Sequence, residues 1–214
     1  MKQMIAIVDY GIGNIKSVVK AFNYLGVRAE LTGDPSLIAG AQGVVLPGVG
    51  AFGEGMNNLK NRELISPLKQ VIDQGRPFLG ICLGLQLLFS GSEEDPDIPG
   101  LDLIEGRVKR FDPHEVKKIP HMGWNQINLT ADHPLFQGNP DQGNYYFVHS
   151  YYVEPIEEGV ILGQTNYADR LFTSVVARDN IWGIQAHPEK SSSLGLNLLR
   201  NFSEVVASAG NTGN

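Results

Sequence analysis

The one cysteine of this 214-residue sequence sits in Gly80-Ile-Cys-Leu-Gly-Leu-Gln86, between an apolar run, PFL, and another, LLF. A nucleophile flanked as G-x-C-x-G where a strand passes into a helix is the cysteine form of the nucleophile elbow. The turn is sharp, and side chains at positions 80 and 84 would collide with backbone passing close by. Cys82 would then stand above the carboxyl edge of a parallel sheet, where open α/β sheets bind ligands. The helix N-terminus behind it favours a thiolate, and the Leu83 amide can face a developing oxyanion. The alternative is plainer: a free cysteine is a common core residue.

A thiol nucleophile needs a base and a group that orients the base. His187-Pro188-Glu189 follows the apolar run IWGIQA (181–186). In an extended chain residues i and i+2 face the same side, and proline favours extension. His187 and Glu189 are therefore expected to face one cleft, with the carboxylate holding the imidazole for Cys82. The alternative is a loop histidine beside a solvated glutamate. A second oxyanion amide is expected from Leu46-Pro-Gly-Val-Gly50, where Gly48 and Gly50 let the backbone approach a ligand. Taken alone, that segment is an ordinary glycine-rich turn.

The elements that must carry these groups alternate in the first half. MIAIVDY (4–10), VRAEL (27–31), GVVLPG (43–48) and PFLGI (77–81) have the length and apolarity of buried strands. Apolar residues at 15, 18, 19, 22 and 25 give a helical period over 14–25. DPSLIAGA predicts a short helix capped by Asp34 with Pro35 at its first position. Residues 56–74 predict a longer helix with a candidate interruption before Pro67, and LGLQLLFS (83–90) a helix following Cys82. Such alternation means an α/β fold: parallel strands, with crossover helices on both faces. From Leu101 to Arg178 the pattern changes to short β-rich segments, LIEGRVKRF, WNQINLT, NYYFVHSYYV, GVILGQT and LFTSVVAR, which predict an antiparallel addition. Residues 194–206 return to a helical period. No linker interrupts the pattern, so residues 1–214 are expected to form one domain.

Composition excludes several classes. A net charge of −6 and the lack of basic clusters argue against nonspecific nucleic-acid binding. A lone cysteine forms no internal disulfide, which suits a reducing cytosol. No run approaches the roughly 18 apolar residues of a membrane span, and MKQMIAIVDYGIGN reads as a first strand rather than a signal peptide. Gly11 and Gly13 begin like a G-x-G-x-x-G dinucleotide fingerprint, but the last position is Lys16. The five histidines, 114, 121, 133, 149 and 187, lack paired metal-ligand spacing.

Together GICLGLQ, LPGVG and HPEKS resemble the class I, triad-type glutamine amidotransferases. More narrowly, DYGIGN (9–14), LPGVGAFG (46–53), PHMGWN (120–125), YYFVHSYYV (145–153) and HPEKS (187–191) resemble the glutaminase subunits of imidazole glycerol phosphate synthase. The resemblance covers nearly the whole chain, with no departure at a motif position. It implies a flavodoxin-like open sheet with an added β region. It implies Cys82 as nucleophile, His187 as base and Glu189 as orienting acid, with the oxyanion held by amides at Val49, Gly50 and Leu83. Gly50, Gln86 and Glu94 would contact glutamine, Glu94 through its ammonium, and the backbone of Ser150-Tyr151 would take the α-carboxylate. No metal or organic cofactor is needed. The implied partner is a (β/α)₈-barrel cyclase, met through Asn14, Met122, Trp124, Tyr146 and Lys190 in a cytoplasmic heterodimer. That partner would receive the ammonia, and its nucleotide ligand would govern glutaminase activity. Glu94 also fits a solvated loop charge, and Met122 and Trp124 also fit a core. Competing functions are a different amidotransferase component, which should lack PHMGWN and FVHSYYV, a regulatory subunit, which usually loses the nucleophile or base, and a cysteine hydrolase of similar fold.

Overall fold

The computed structural model describes residues 4–12, 15–116 and 118–211. The first half alternates as expected: β1 (Ile5–Val8), α1 (Ile15–Tyr24), β2 (Ala29–Thr32), α2 (Pro35–Gly40), β3 (Gly43–Gly48), α3 (Phe52–Asn61), α4 (Ile65–Asp73) and β4 (Phe78–Cys82). After α5 (Leu83–Gln86) come β5 (Phe89–Ser92), β6 (Ile104–Arg110), β7 (His121–Leu129), β8 (Gly143–His149), β9 (Tyr151–Pro155), β10 (Ile161–Tyr167), β11 (Arg170–Arg178) and β12 (Ile181–Ile184). The chain closes on α6 (Ser192–Asn211).

Strand order is β2-β1-β3-β4-β12, all parallel, which is the flavodoxin-like order with β12 as fifth strand. Beyond β12 the sheet turns antiparallel through β11, β10, β7 and β8, while β5, β6 and β9 form a branch that rejoins at β11. β1, β3 and β4 are buried along their whole length because helices cover both faces. Strand alternation divides the core accordingly. Ile5 and Ile7 face Phe22 of α1 and Phe202 of α6, whereas Ala6 and Val8 face Leu59 of α3 and Leu68 of α4.

One local expectation changes, and two segments gain detail. The helix expected over 83–90 ends after one turn, and Phe89–Ser92 is a strand paired with β6. The carbonyls of Leu87, Leu88 and Phe89 accept instead from the amides of Leu101, Leu103 and Asp102, so the neighbouring loop captures what a helix would have used. The helix expected behind Cys82 is present as this single turn, which carries less dipole toward the thiol than a longer helix would. The candidate interruption before Pro67 in the helix expected over 56–74 is present, at Arg62–Leu64, with Glu63 at φ 58°. The β-rich segment NYYFVHSYYV holds parts of two strands. The chain leaves β8 at Ser150 and enters β9, which pairs with β6.

Glycine is required where β4 turns into α5. A Cβ at Gly84 would lie 1.7 Å from Leu46 O, and one at Gly80 would lie 2.6 Å from Gly84 O. Gly84→Ala should therefore lower stability by about 3 kcal/mol. Gly40→Ala, at an α2 position whose Cβ would meet nothing within 4 Å, should be neutral or mildly stabilising. Urea unfolding of the two variants checks the contrast; equal midpoints would show that the Gly84 contact relaxes without cost.

Candidate active site

Cys82 ends β4 with φ 54° and ψ −108°, a conformation costly for a residue with a Cβ. Register places it beside Gly48 of β3, and Ile184 of β12 lies opposite Ile81. The segments after three adjacent parallel strands therefore meet at one edge: Gly48-Val49-Gly50, Cys82-Leu83 and Gln185-Ala186-His187. The Leu83 amide belongs to the first turn of a helix, where N–H groups have no intrahelical acceptor. Gly48 is bare because Tyr10 and Leu83 fill the space, a Cβ there lying 2.2 Å from the Tyr10 hydroxyl oxygen. Gly50 has φ 121°, a region that favours glycine.

His187 Nδ1 and Glu189 Oε1 are 2.8 Å apart, with side chains 2% and 4% exposed. The extended i, i+2 arrangement expected for them is not the cause. Pro188–Lys190 is a 3₁₀ turn, with proline at its first position where its fixed φ suits a helix. The turn is tied down on two sides. Ser191 Oγ donates to His187 O and accepts from Tyr146 N, and His187 N donates to Tyr146 O. α6 crosses so close that a Cβ at Gly195 would lie 1.9 Å from Pro188 O. With Nδ1 committed to Glu189, Nε2 is the ring atom left for Cys82, and it is buried without a hydrogen bond among the described residues. Burial pushes the His187 pKa down, but the Cys82 sulfur and then the Glu189 carboxylate together outweigh it, and the net shift is upward, to about 10. Ile15, Val18, Pro47, Val49 and Ile81 wall the small cleft beside His187 and Glu189. A larger concavity, along residues 129–141, is lined by none of Cys82, His187 and Glu189.

Glu94 is not a solvated loop charge. Its Oε2 accepts from Phe52 N at 2.8 Å, and Asp95 Oδ2 accepts from Gly53 N at 2.7 Å. Two carboxylates from one loop thus cap α3, whose own N-cap, Ala51, has no side chain to do so. Gln86 is 5% exposed, and its Nε2 donates to Tyr151 O and to Gln185 Oε1, each at 3.1 Å. The Ser150 carbonyl accepts from Phe111 N.

Met122 and Trp124 are 57% and 54% exposed, so the alternative of a buried core falls for both. Trp124 meets Tyr146 edge to face across the β7–β8 pair, and Lys190 Nζ lies 5.9 Å from the Tyr146 ring centroid. These four share one patch next to the His187 turn. Asn14, expected with them, lies outside the described residues.

Sequence reasoning missed two groups. Gln185 is fully buried and donates to Cys82 Sγ at 3.6 Å; the signal was a lone polar residue in an otherwise apolar strand run. His121 and His149, which the sequence spacing left unconnected, face each other across β7 and β8 with Nδ1 and Nε2 2.9 Å apart. Burial pushes His121 down to about 4; burial, and then the neighbouring His121, push His149 down to about 3.

Comparison with known proteins gives one answer. The family described as glutamine amidotransferase class-I matches residues 6–205. A protein of Moorella thermoacetica named imidazole glycerol phosphate synthase subunit HisH is 52% identical over 98% of both chains. One of that name from Methanothermobacter thermautotrophicus is 49% identical over 95% of this chain and 99% of its own. Among solved structures, one described as a glutamine amidotransferase superposes with TM-score 0.74 at 18% identity, covering 94% of this chain and 98% of its own. PurLQS from Thermotoga maritima gives 0.75 at 16%, covering 96% and 100%. At these identities the two structures speak for the fold alone.

The buried histidine pair predicts an acid-sensitive fold. His121 and His149 take up protons in the unfolded chain near pH 6.5 but in the folded chain only near 4 and 3. Between those values the unfolded state binds more protons, so stability falls as pH drops, by on the order of 1 kcal/mol per pH unit for each histidine. The raised His187 works in another window: its contribution is complete below about 6.5 and is lost as pH rises to about 10. Urea midpoints should fall steadily from pH 6.5 to 4.5; midpoints level down to about pH 5 would contradict the burial of neutral histidines.

Proposed function

The chain belongs to the class-I glutamine amidotransferase family, among the subunits of imidazole glycerol phosphate synthase, and from that premise we propose that it hydrolyses glutamine through Cys82, His187 and Glu189. The observation that carries the reading is the buried 2.8 Å contact between His187 and Glu189, which leaves Nε2 as the ring atom for the thiol at the end of β4. Glu189 fixes the imidazole tautomer and orientation and stabilises the imidazolium. His187 Nε2 takes the thiol proton as Cys82 Sγ attacks the substrate carboxamide carbon, and the carbonyl electron pair moves onto oxygen, where the amides of Leu83 and the Val49-Gly50 turn receive it. His187 gives its Nε2 proton to the leaving nitrogen as the C–N bond breaks, releasing ammonia and leaving a γ-glutamyl thioester. Nε2 then takes a proton from water as its oxygen attacks the thioester. Collapse of that second adduct releases glutamate, and the proton returns to sulfur. These steps need no metal or organic cofactor.

Glutamine would lie between Gly50, Gln86, Glu94 and the Ser150-Tyr151 backbone. Glu94, fixed on α3 through Oε2, keeps Oε1 for the substrate ammonium. The one domain would work in the cytoplasm as half of a heterodimer. Its partner is a (β/α)₈-barrel cyclase that receives the ammonia to make imidazole glycerol phosphate and an aminoimidazole carboxamide ribotide, and whose nucleotide ligand raises glutaminase turnover. The patch of exposed Met122, Trp124 and Lys190 around half-buried Tyr146 is the docking face for that cyclase. Asn14 is proposed as a cyclase contact on the sequence resemblance alone.

Cys82→Ala, assayed with the cyclase and its nucleotide, should lose glutamine-dependent synthesis by at least about 10³-fold and keep synthesis from added ammonium salt. Loss of both activities would make Cys82 structural, and retention of both would remove it from the reaction. Trp124→Ala should weaken the complex by roughly 1–3 kcal/mol while shifting thermal unfolding little. The reverse ordering in calorimetry would take Trp124 off the interface.

A further inference from the structure

We propose that Gln185 is a positioning residue for the nucleophile: its carboxamide N–H, oriented by Gln86, is aimed at Cys82 Sγ and steadies that sulfur as an anion. The inference rests on the reading of Cys82 as nucleophile, and it deepens that reading by assigning a second contact to the sulfur besides His187.

The directions in which two amide groups point decide the matter, and the chain of bonds fixes both. Tyr151 O is a backbone carbonyl and can only accept. His149 Nδ1 lies 2.7 Å from it and must therefore donate. Gln86 also approaches that carbonyl at 3.1 Å, so the atom it presents must be its nitrogen. The same nitrogen is 3.1 Å from Gln185, so the Gln185 atom facing it must be the oxygen. The remaining Gln185 atom is then the nitrogen, and it stands 3.6 Å from Cys82 Sγ. Turning Gln86 over would set two oxygens against each other at Tyr151. Turning Gln185 over would set two NH₂ groups against each other at Gln86. Each alternative leaves buried polar atoms repelling and unpaired, an arrangement that folded proteins avoid.

Nothing in this row is free to rearrange. Gln185 is fully buried and Gln86 is 5% exposed. The Gln185 backbone is fixed as well, its N–H donating to Ser174 O at 2.8 Å. The Tyr151 carbonyl spends both lone pairs, one on His149 and one on Gln86. His149 is in turn held by His121, whose Nε2 lies 3.2 Å from Asn125 Nδ2. The sulfur therefore receives a donor whose direction is set by fixed carbonyl chemistry several residues away. A donor to sulfur is stronger when the sulfur is charged, so the contact acts at the moment the thiol becomes a nucleophile.

Because Cys82 is the only cysteine, alkylation by iodoacetamide, followed by intact mass, reads this sulfur alone. The rate should be measured against pH in the full chain for wild type, Gln185→Met and Gln185→Glu. Methionine keeps the volume and removes the donor; glutamate keeps the acceptor for Gln86 and sets a negative charge against the sulfur. The profile should move to higher pH by about one unit in Gln185→Met and further in Gln185→Glu, which is roughly tenfold slower alkylation at neutral pH for the first. Turnover of glutamine with the cyclase should fall with little change in KM. Profiles that overlay wild type in variants that unfold cooperatively would overturn the assignment. If neither variant folds, Gln86→Met leaves Gln185 in place but unties its orientation; an upward shift there supports the proposal and an unchanged profile overturns it. Should Cys82→Ala still hydrolyse glutamine, the proposed function falls, while the alkylation profile still decides the Gln185 contact.

Discussion

Everything at this site depends on the backbone of Cys82. A residue with a Cβ at φ 54° and ψ −108° costs on the order of 1–3 kcal/mol, and only surroundings that over-determine the turn keep it there. Those surroundings are the missing side chains of Gly80 and Gly84, the close passage of Leu46, and the parallel neighbours β3 and β12. The strain has a geometric result. It carries the thiol off the end of the sheet to where His187 and Gln185, both arriving from β12, can face it. A relaxed strand end would point Cys82 along the pleat.

From that point outward the site is built by local tethers rather than by one long element. His187 is positioned by a 3₁₀ turn locked through Ser191 and Tyr146; Glu94 by its bond to the start of α3; Gln86 by Tyr151 and Gln185. Tyr146 recurs in two roles. Its backbone holds the His187 turn, and its ring joins Trp124 and Lys190 on the exposed patch. A partner covering that patch would press on the segment that holds the imidazole.

The parallel half of the fold was legible in the sequence because fully buried strands and amphipathic helices leave periods that propensity does not obscure. The motif residues were legible because glycine, cysteine, histidine and proline each have few physical uses at such spacings. What stayed hidden depended on long-range pairing. LGLQLLFS has the composition of a helix, yet the amides of residues 101–103 take carbonyls at 87–89, and its last two residues begin β5. Gln185 looked like one polar residue in an apolar run, and its meaning comes from Gln86, 99 positions away. His121 and His149 form a pair only once β7 and β8 are in register. The way His187 meets Glu189 was anticipated in outcome but not in geometry, since Pro188 starts a turn instead of extending the chain.

The most direct test is to trap the covalent intermediate. Glu189→Gln, mixed with the cyclase, its nucleotide and glutamine, would be quenched in acid during turnover and digested for mass spectrometry. A γ-glutamyl group should appear on the peptide that contains Cys82, and none when Cys82 is replaced by alanine. Glutamate formation with no adduct on that peptide, or an adduct on any other residue, would contradict the claim that the strained turn at the end of β4 presents the nucleophile.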